Sequence, residues 1–182
     1  MKRKIILNLA MSLDGFIADV EGKYEWITGD GSHECDTKEA FTFDTFLDHV
    51  DTIVMGRKAF EVCDPKLFKD QHIIVATSGV RKDLEHVCFI AEDPVRHVNK
   101  LLEATGKDIW IFGGGILADA FIKADMIDEY IIGIIPVILG EGIPLFLGSH
   151  DPRHLHLKRY YMQEGIAILQ YTRRQTEMTE GA

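Results

Sequence analysis

The residues best suited to hold a ligand lie at Ile109–Ala118. Four apolar residues, Ile109-Trp110-Ile111-Phe112, run into Gly113-Gly114-Gly115 and then into Ile116-Leu117-Ala118. Glycine carries no Cβ, so a backbone built from it can come close to a phosphate. The helix expected from Ile116 adds unpaired N–H groups and the positive end of its dipole. The chemistry favoured there is binding of a phosphate or pyrophosphate; a tight strand-to-helix turn without a ligand is the other reading. Gly113, Gly115 and Ala118 also satisfy the G-x-G-x-x-G/A spacing of dinucleotide-binding folds. Two features weaken that match. The motif sits late in the chain, and the strand after it ends Gly133-Ile134-Ile135-Pro136, with no acid to hold a ribose.

Two further segments share the pattern. Ile53-Val54-Met55 leads through Gly56 to Arg57 and Lys58, a second anion site unless the two cations are merely solvated. Ile73-Ile74-Val75-Ala76 leads to Thr77 and Ser78, with Arg81 and Lys82 just beyond. Hydroxyls backed by cations suit a phosphate monoester. In an open α/β sheet, ligands bind outside the carboxyl ends of the parallel strands. All three segments would fall on that edge, and one ligand with several phosphates would account for them together. The eight histidines show no metal-ligand spacing; His154 and His156 alternate with no third ligand nearby, so no metal is expected. Neither a G-x-S-x-G elbow nor a Cys–His arrangement is present.

Placing those segments requires alternating strands and helices. Apolar runs predict strands at Ile5–Ala10, Thr52–Met55, Gln71–Ala76, Val87–Ile90, Asp108–Phe112 and Glu129–Ile135. Asp14-Gly15 marks a turn and Phe16-Ile17-Ala18 resumes an extended segment. Asp19–Cys35 reads as a loop carrying Trp26. Helices are expected from Thr37, as cap, to about His49, from Gly56-Arg57 to about Val62, from Pro94 to near Thr105-Gly106, and over Ile116–Ala124. Leu139–Leu147, with two glycines and a proline, reads as a loop. His154–Tyr161 and Ile166–Arg173 flank Gln163-Glu164-Gly165 as a β-hairpin. The expected fold class is α/β: a mixed, mostly parallel central sheet with helices on both faces and a C-terminal antiparallel hairpin.

Length and composition agree. A chain of 182 residues suits one domain, here residues 1–174, with residues 175–182 expected to fray. The formal net charge of −9 disfavours non-specific nucleic-acid binding, so an anionic ligand needs a local electropositive pocket. Cys35, Cys63 and Cys88 are widely spaced and odd in number, which points to buried or half-buried free thiols. No apolar run is long enough to span a bilayer, and the short run Ile5–Ala10 followed by Asp14 does not read as a signal peptide. A cytoplasmic location is expected by default.

The arrangement resembles the dihydrofolate-reductase-like superfamily, closest to the reductase domain of the riboflavin-biosynthesis deaminase/reductase and its stand-alone relatives. The matching residues run from Leu9 to about Tyr171: Ala10-Met11-Ser12-Leu13-Asp14-Gly15-Phe16-Ile17-Ala18, Glu25-Trp26-Ile27-Thr28, Val54-Met55-Gly56-Arg57, Phe112-Gly113-Gly114-Gly115, Ile127-Asp128-Glu129-Tyr130, and Pro136-Val137-Ile138-Leu139-Gly140-Glu141-Gly142-Ile143-Pro144-Leu145-Phe146. The resemblance implies a three-layer fold and NADPH-dependent hydride transfer to a small pterin- or pyrimidine-like heterocycle. Gly56, Arg57, Lys58 and the turn Gly113-Gly114-Gly115, with Ile116 and Leu117 opening the helix, would hold the pyrophosphate region. Thr77, Ser78 and Arg81 would meet the 2′-phosphate. Ala10 and Ile17 would pack near the nicotinamide, and a cis peptide at Gly113-Gly114 is in keeping with the superfamily. Trp26, Thr28, Phe43 and Phe112 would line the substrate end, with Glu39, Asp36 and Asp14 as candidate proton donors. The resemblance also implies a homodimer, supported by Tyr130–Ile135 and Leu139–Leu147. Phe112 stands where the riboflavin-pathway reductases carry a substrate-binding glutamate, and Ala59 where they commonly place threonine. Their conserved acid in the helix after the second strand aligns near Cys63-Asp64, where only Asp64 keeps a carboxylate. These departures point away from a ribosylated, phosphorylated pyrimidine as substrate. They leave a second reading, a nucleotide-binding protein without turnover; a dehydrogenase with a true Rossmann domain is a distant third.

Overall fold

The structure is a computed structural model that describes residues 2–79, 81–148 and 150–174. The expected fraying of residues 175–182 lies outside the described residues. Strands β1 (Ile5–Ser12), β3 (Val50–Gly56), β4 (His72–Ala76), β5 (Val87–Ile90), β6 (Asp108–Gly113) and β7 (Glu129–Ile135) are mutually parallel. Strands β9 (Leu155–Gln163) and β10 (Ile166–Arg173) form the antiparallel hairpin, with β10 against β7. The sheet order is β5-β4-β3-β6-β1-β7-β10-β9. This is the mixed, mostly parallel α/β sheet expected, with the hairpin at one edge.

The inner strands are apolar on both faces because both faces are covered. On one face Ile5, Leu7, Val54, Ile74, Ile109 and Ile111 pack under Val98 of α3 (Pro94–Leu101) and Leu117, Phe121 and Ile122 of α4 (Gly115–Lys123). On the other, Ile6, Ile53, Met55, Ile73, Val75 and Trp110 pack under Phe46 of α1 (Phe43–Leu47) and Phe68 of a 3-10 turn at Pro65–Phe68. Ala59 and Phe60 of α2 (Arg57–Val62) join that second cluster. Asp93 caps α3 by accepting from the Val95 N–H at 2.9 Å, with Pro94 at its first position.

Four expectations are corrected. The helix expected over Thr37–His49 shrinks to Phe43–Leu47. Thr37 does not cap it: its N–H donates to the Met162 carbonyl at 3.0 Å, and its hydroxyl accepts from the Met162 N–H at 3.1 Å. The edge of β9 thus takes the groups a helix would have used. The loop Leu139–Leu147 contains a short strand β8 (Ile143–Pro144), paired with β2 (Phe16–Ala18). Cys35 is exposed, whereas Cys63 and Cys88 are half-buried as expected. Helix α3 also stops at Leu101, short of Thr105, where the guanidinium of Arg3 reaches the Leu101 and Lys107 carbonyls at 3.5 and 2.7 Å. Arg3 is buried and also bonds Asp51 and Thr52, so it ties β1 to β3 and to the turn before β6.

The hairpin turns through Glu164 (φ 50°) and Gly165 (φ 80°), the two left-handed positions of a type I′ turn. The 29–37 loop wraps this turn: the Asp30 N–H donates to the Glu164 carbonyl at 2.8 Å, and a Cβ at position 165 would stand 2.5 Å from the Asp30 carboxylate. Gly165→Ala is therefore expected to destabilise the fold by about 1–3 kcal/mol, read as a lower urea midpoint at unchanged m-value. An unchanged midpoint would mean the turn does not grip the loop.

Candidate functional site

The carboxyl ends of β3, β4 and β6 lie side by side, since Gly56 pairs with Ala76 and Met55 with Gly113. At β6 the chain passes through Gly113 (φ 130°) and a cis Gly113-Gly114 peptide into α4. A Cβ built on Gly114 meets nothing within 4 Å, so this backbone faces open space. Beside it Ile116 is 83% exposed on the first turn of a nine-residue helix. The glycines thus form a cradle that a side chain would fill, as phosphate binding needs. Two members of the expected set do other work. A Cβ on Gly115 would lie 2.5 Å from the Pro144 carbonyl, so that glycine admits β8 rather than a ligand. The Leu117 side chain is buried in the core, which leaves only its backbone to face a ligand.

Arg57 and Lys58 are exposed on α2, and Ser78 is exposed past β4. Thr77 is held by its N–H to the Ile90 carbonyl at 3.0 Å, and its hydroxyl accepts from the Gly79 N–H at 3.3 Å. Sequence reading missed Glu61. Arg57 Nη1 donates to both Glu61 carboxylate oxygens at 2.8 Å, and Arg81 Nη2 donates to Oε1 at 3.3 Å. Arg57 first, and Arg81 after it, hold the Glu61 carboxyl below the usual glutamate range against the opposing effect of desolvation. The i,i+4 spacing from Arg57 was the available signal.

The three candidate proton donors are placed elsewhere. Asp14 accepts from the Ser12 hydroxyl at 2.6 Å and from the Gly140 and Leu139 N–H groups at 2.7 and 3.2 Å. The Ser12 bond, with the two backbone donors, lowers its pKa, so Asp14 stays ionised and fastens the 139–140 loop. Asp36 bonds His33 Nδ1 and the Glu164 N–H, each at 2.8 Å, and fastens the hairpin turn. Glu39 is exposed, and its carbonyl accepts from the Thr37 hydroxyl at 2.7 Å. Asp14 and Asp36 have lowered pKa values, and Glu39 stands exposed, so none of the three has the setting of a general acid. The hydrogen bond to Asp36, aided by its charge, raises the His33 pKa above 6.5. The pair is fully formed below 6.5 and lost as pH rises through that raised value. In an NMR pH series His33 should titrate above 6.5, and Asp36→Asn should return it to about 6.5; a wild-type midpoint at or below 6.5 would show that the pair does not form.

On the α1 face of the sheet, Phe43 stands 5.4 Å from Trp110, edge to face, and Phe112 4.9 Å from Trp110 (ring centroids). Phe68 packs on both Trp110 and Phe112. Trp26 and Thr28 sit in the loop before α1, where the Trp26 indole N–H donates to the Lys23 carbonyl at 3.3 Å; neither joins that cluster. Ile17 packs against the core under α4, while strand alternation turns Ala10 to the aromatic face, opposite Gly133. An apolar cavity lined by Ile132, Phe146, Leu155, Leu169 and Tyr171 opens on the α4 face.

Asn8, two residues before Ala10, lies on the aromatic face beside Ile131 of β7. The Trp110 indole donates to its carbonyl at 2.8 Å. Asn8 is 8% exposed, and its Nδ2 has no hydrogen-bond partner among the described residues. A desolvated donor without a partner costs about 1–3 kcal/mol. A polar residue inside the apolar run Ile5–Leu9 was the signal overlooked. Asn8→Leu should raise stability in urea by roughly 1 kcal/mol; a loss of stability would show that the amide is satisfied within the chain.

A mostly parallel sheet with a glycine cradle at a central strand end, covered on both faces and closed by an antiparallel hairpin, defines a dihydrofolate-reductase-like protein of the riboflavin-reductase type. The chain belongs to the RibD C-terminal domain family, whose model matches residues 3–165. It is 37% identical over 166 residues to the Bacillus subtilis protein YwjB, covering 87% of this chain and 91% of that one. It is 35% identical over 161 residues to YyaP of the same organism, covering 80% and 81%. Among solved structures, a putative riboflavin biosynthesis protein from Shewanella sp. PV-4 matches with a TM-score of 0.76 at 24% identity, over 94% of this chain and 99% of that one. The Thermotoga maritima diaminohydroxyphosphoribosylaminopyrimidine deaminase/5-amino-6-(5-phosphoribosylamino)uracil reductase matches with a TM-score of 0.71 at 16% identity, over 95% of this chain and 57% of that one. These last two likenesses carry the fold.

Proposed function

We propose that the chain is an NADPH-dependent reductase of a small planar heterocycle, acting in the cytoplasm. The observation that carries this is the open backbone cradle at Gly113-Gly114, set beside the two arginines that gather at the neighbouring strand ends. The Thermotoga maritima relative, named as a uracil reductase fused to a deaminase, supports a reductase as the activity of this unit.

With NADPH bound, the chemistry supplied is hydride transfer. The chain's own tasks are binding, orientation and exclusion of water. The cradle and the first turn of α4 would hold the pyrophosphate, with Ile116 covering it. Arg57, Lys58, Thr77, Ser78 and Arg81 would take the adenosine side. The exposed Phe43 and the half-buried Phe112, backed by the buried Trp110, offer an apolar wall to a flat ring. Asp14, Asp36 and Glu39 are engaged or exposed, so a proton, where the reduction needs one, would come from water held at this wall.

Titration of the full chain with NADPH, followed by nucleotide fluorescence, tests the reading. Gly114→Val should weaken binding at least roughly tenfold, about 1.4 kcal/mol, while circular dichroism stays native, because the added methyls enter the open cradle. Normal NADPH affinity in a folded Gly114→Val would overturn the phosphate site. The three committed or exposed carboxylates favour a second reading, a nucleotide binder without turnover. NADPH binding together with silence at the NADPH absorbance across pterins, pyrimidines and flavins would select it.

A further inference from the structure

We propose that Glu61 is a specificity-determining residue, one that sets how strongly this edge prefers a phosphate over a hydroxyl on the ligand's ribose. The inference rests on the dinucleotide reading above and deepens it. Glu61 lies one turn after Arg57 on α2, and two guanidiniums from different elements converge on its Oε1: Arg57 at 2.8 Å and Arg81 at 3.3 Å. The Arg81 guanidinium also sits 5.8 Å from the centre of the Phe89 ring, which orients it toward α2. Gly56 pairs with Ala76, so Arg57 begins beside the hydroxyls of Thr77 and Ser78. Two guanidiniums meeting at one oxygen, next to two hydroxyls, is an arrangement that receives an anion, and a carboxylate of the chain itself already stands in it.

A ribose phosphate, carrying nearly two negative charges, would have to share or take over both arginines while the Glu61 carboxylate stays a few ångströms away. Like charges at that distance repel. A free ribose hydroxyl meets the opposite situation: it can donate to Glu61 and leave both arginine pairs intact, as acidic residues do in NAD sites. Glu61 therefore acts against the phosphate and for the hydroxyl, and it narrows the preference that the arginines alone would give. All three side chains are about two-fifths exposed, so solvent and salt screen the effect and keep it moderate.

Isothermal titration of the full chain with adenosine 2′,5′-bisphosphate and with 5′-AMP isolates this contribution, since the two probes differ only in the ribose phosphate. Glu61→Gln keeps the size and an acceptor for Arg57 but removes the charge. It should tighten the bisphosphate roughly five- to tenfold and leave 5′-AMP unchanged or slightly weaker. Adding Arg81→Gln to that variant should remove the gain. If the wild-type chain binds the bisphosphate and Glu61→Gln binds it equally or more weakly, Glu61 organises the arginines and this inference is overturned, while the dinucleotide reading stands. If neither the wild type nor the folded Glu61→Gln chain binds the bisphosphate, the dinucleotide reading falls, and this inference with it.

Discussion

The ligand edge depends on the burial of β6 between β3 and β1. Ile109 and Ile111 face one core, Trp110 and Phe112 the other, and parallel pairing on both sides fixes the strand's register against β1 and β3. Its C-terminal end must then reverse at once into α4, whose Leu117, Phe121 and Ile122 cover the face that Ile109 and Ile111 present. Gly113, at φ 130°, and Gly115, where a Cβ would lie 2.5 Å from the Pro144 carbonyl, need glycine for that turn, and the open surroundings of Gly114 leave room for a ligand. The same strand carries the aromatic wall on its other face, through Trp110 and Phe112. Cradle and wall are therefore positioned by one element, and the indole bond from Trp110 to the Asn8 carbonyl carries that alignment across to β1.

Around this rigid centre the loops are fastened by carboxylates. Asp14 gathers the Ser12 hydroxyl and the 139–140 backbone, Asp36 the hairpin turn, and Asp51 the buried Arg3. Each is an acceptor placed against backbone N–H groups or a cation that would otherwise lack a partner. The consequence for chemistry is direct. Acids that hold loops are ionised and committed, so an edge rich in carboxylates has few to offer for proton transfer. The same holds at the carboxyl ends of β3 and β4: in a chain of net charge −9, even Arg57 and Arg81 are matched by Glu61.

Much of the fold was legible in the amino-acid order. β7 and β10 span the residues expected, and α4 starts and ends one residue before its expected bounds, because a strand or helix with deeply buried faces needs an unbroken apolar pattern. The helix expected from Thr37 failed for an equally physical reason. Its apolar spacing marks residues that pack inward, which an irregular segment can also do, and the edge of β9 offered Thr37 hydrogen bonds that no local pattern encodes. Of the expected site, the glycines at 113–114 and the cations Arg57, Lys58 and Arg81 meet at one edge. Gly115, Leu117 and the acids Asp14, Asp36 and Glu39 serve packing or loops or stand exposed.

By itself, then, the sequence determined the class of fold, the order of its main strands along the chain and the strand end that glycines leave open, since hydrophobic period and glycine placement are local properties. The tertiary structure decided which charged groups remain available. A carboxylate's role depends on which donors lie within about 3 Å of it, and those donors come from residues far away in the chain: Gly140 for Asp14, Glu164 for Asp36, Arg81 for Glu61. The same holds for Asn8: the sequence shows a polar residue in an apolar run, but only the burial of both faces of its strand shows that its amide lacks a partner among the described residues.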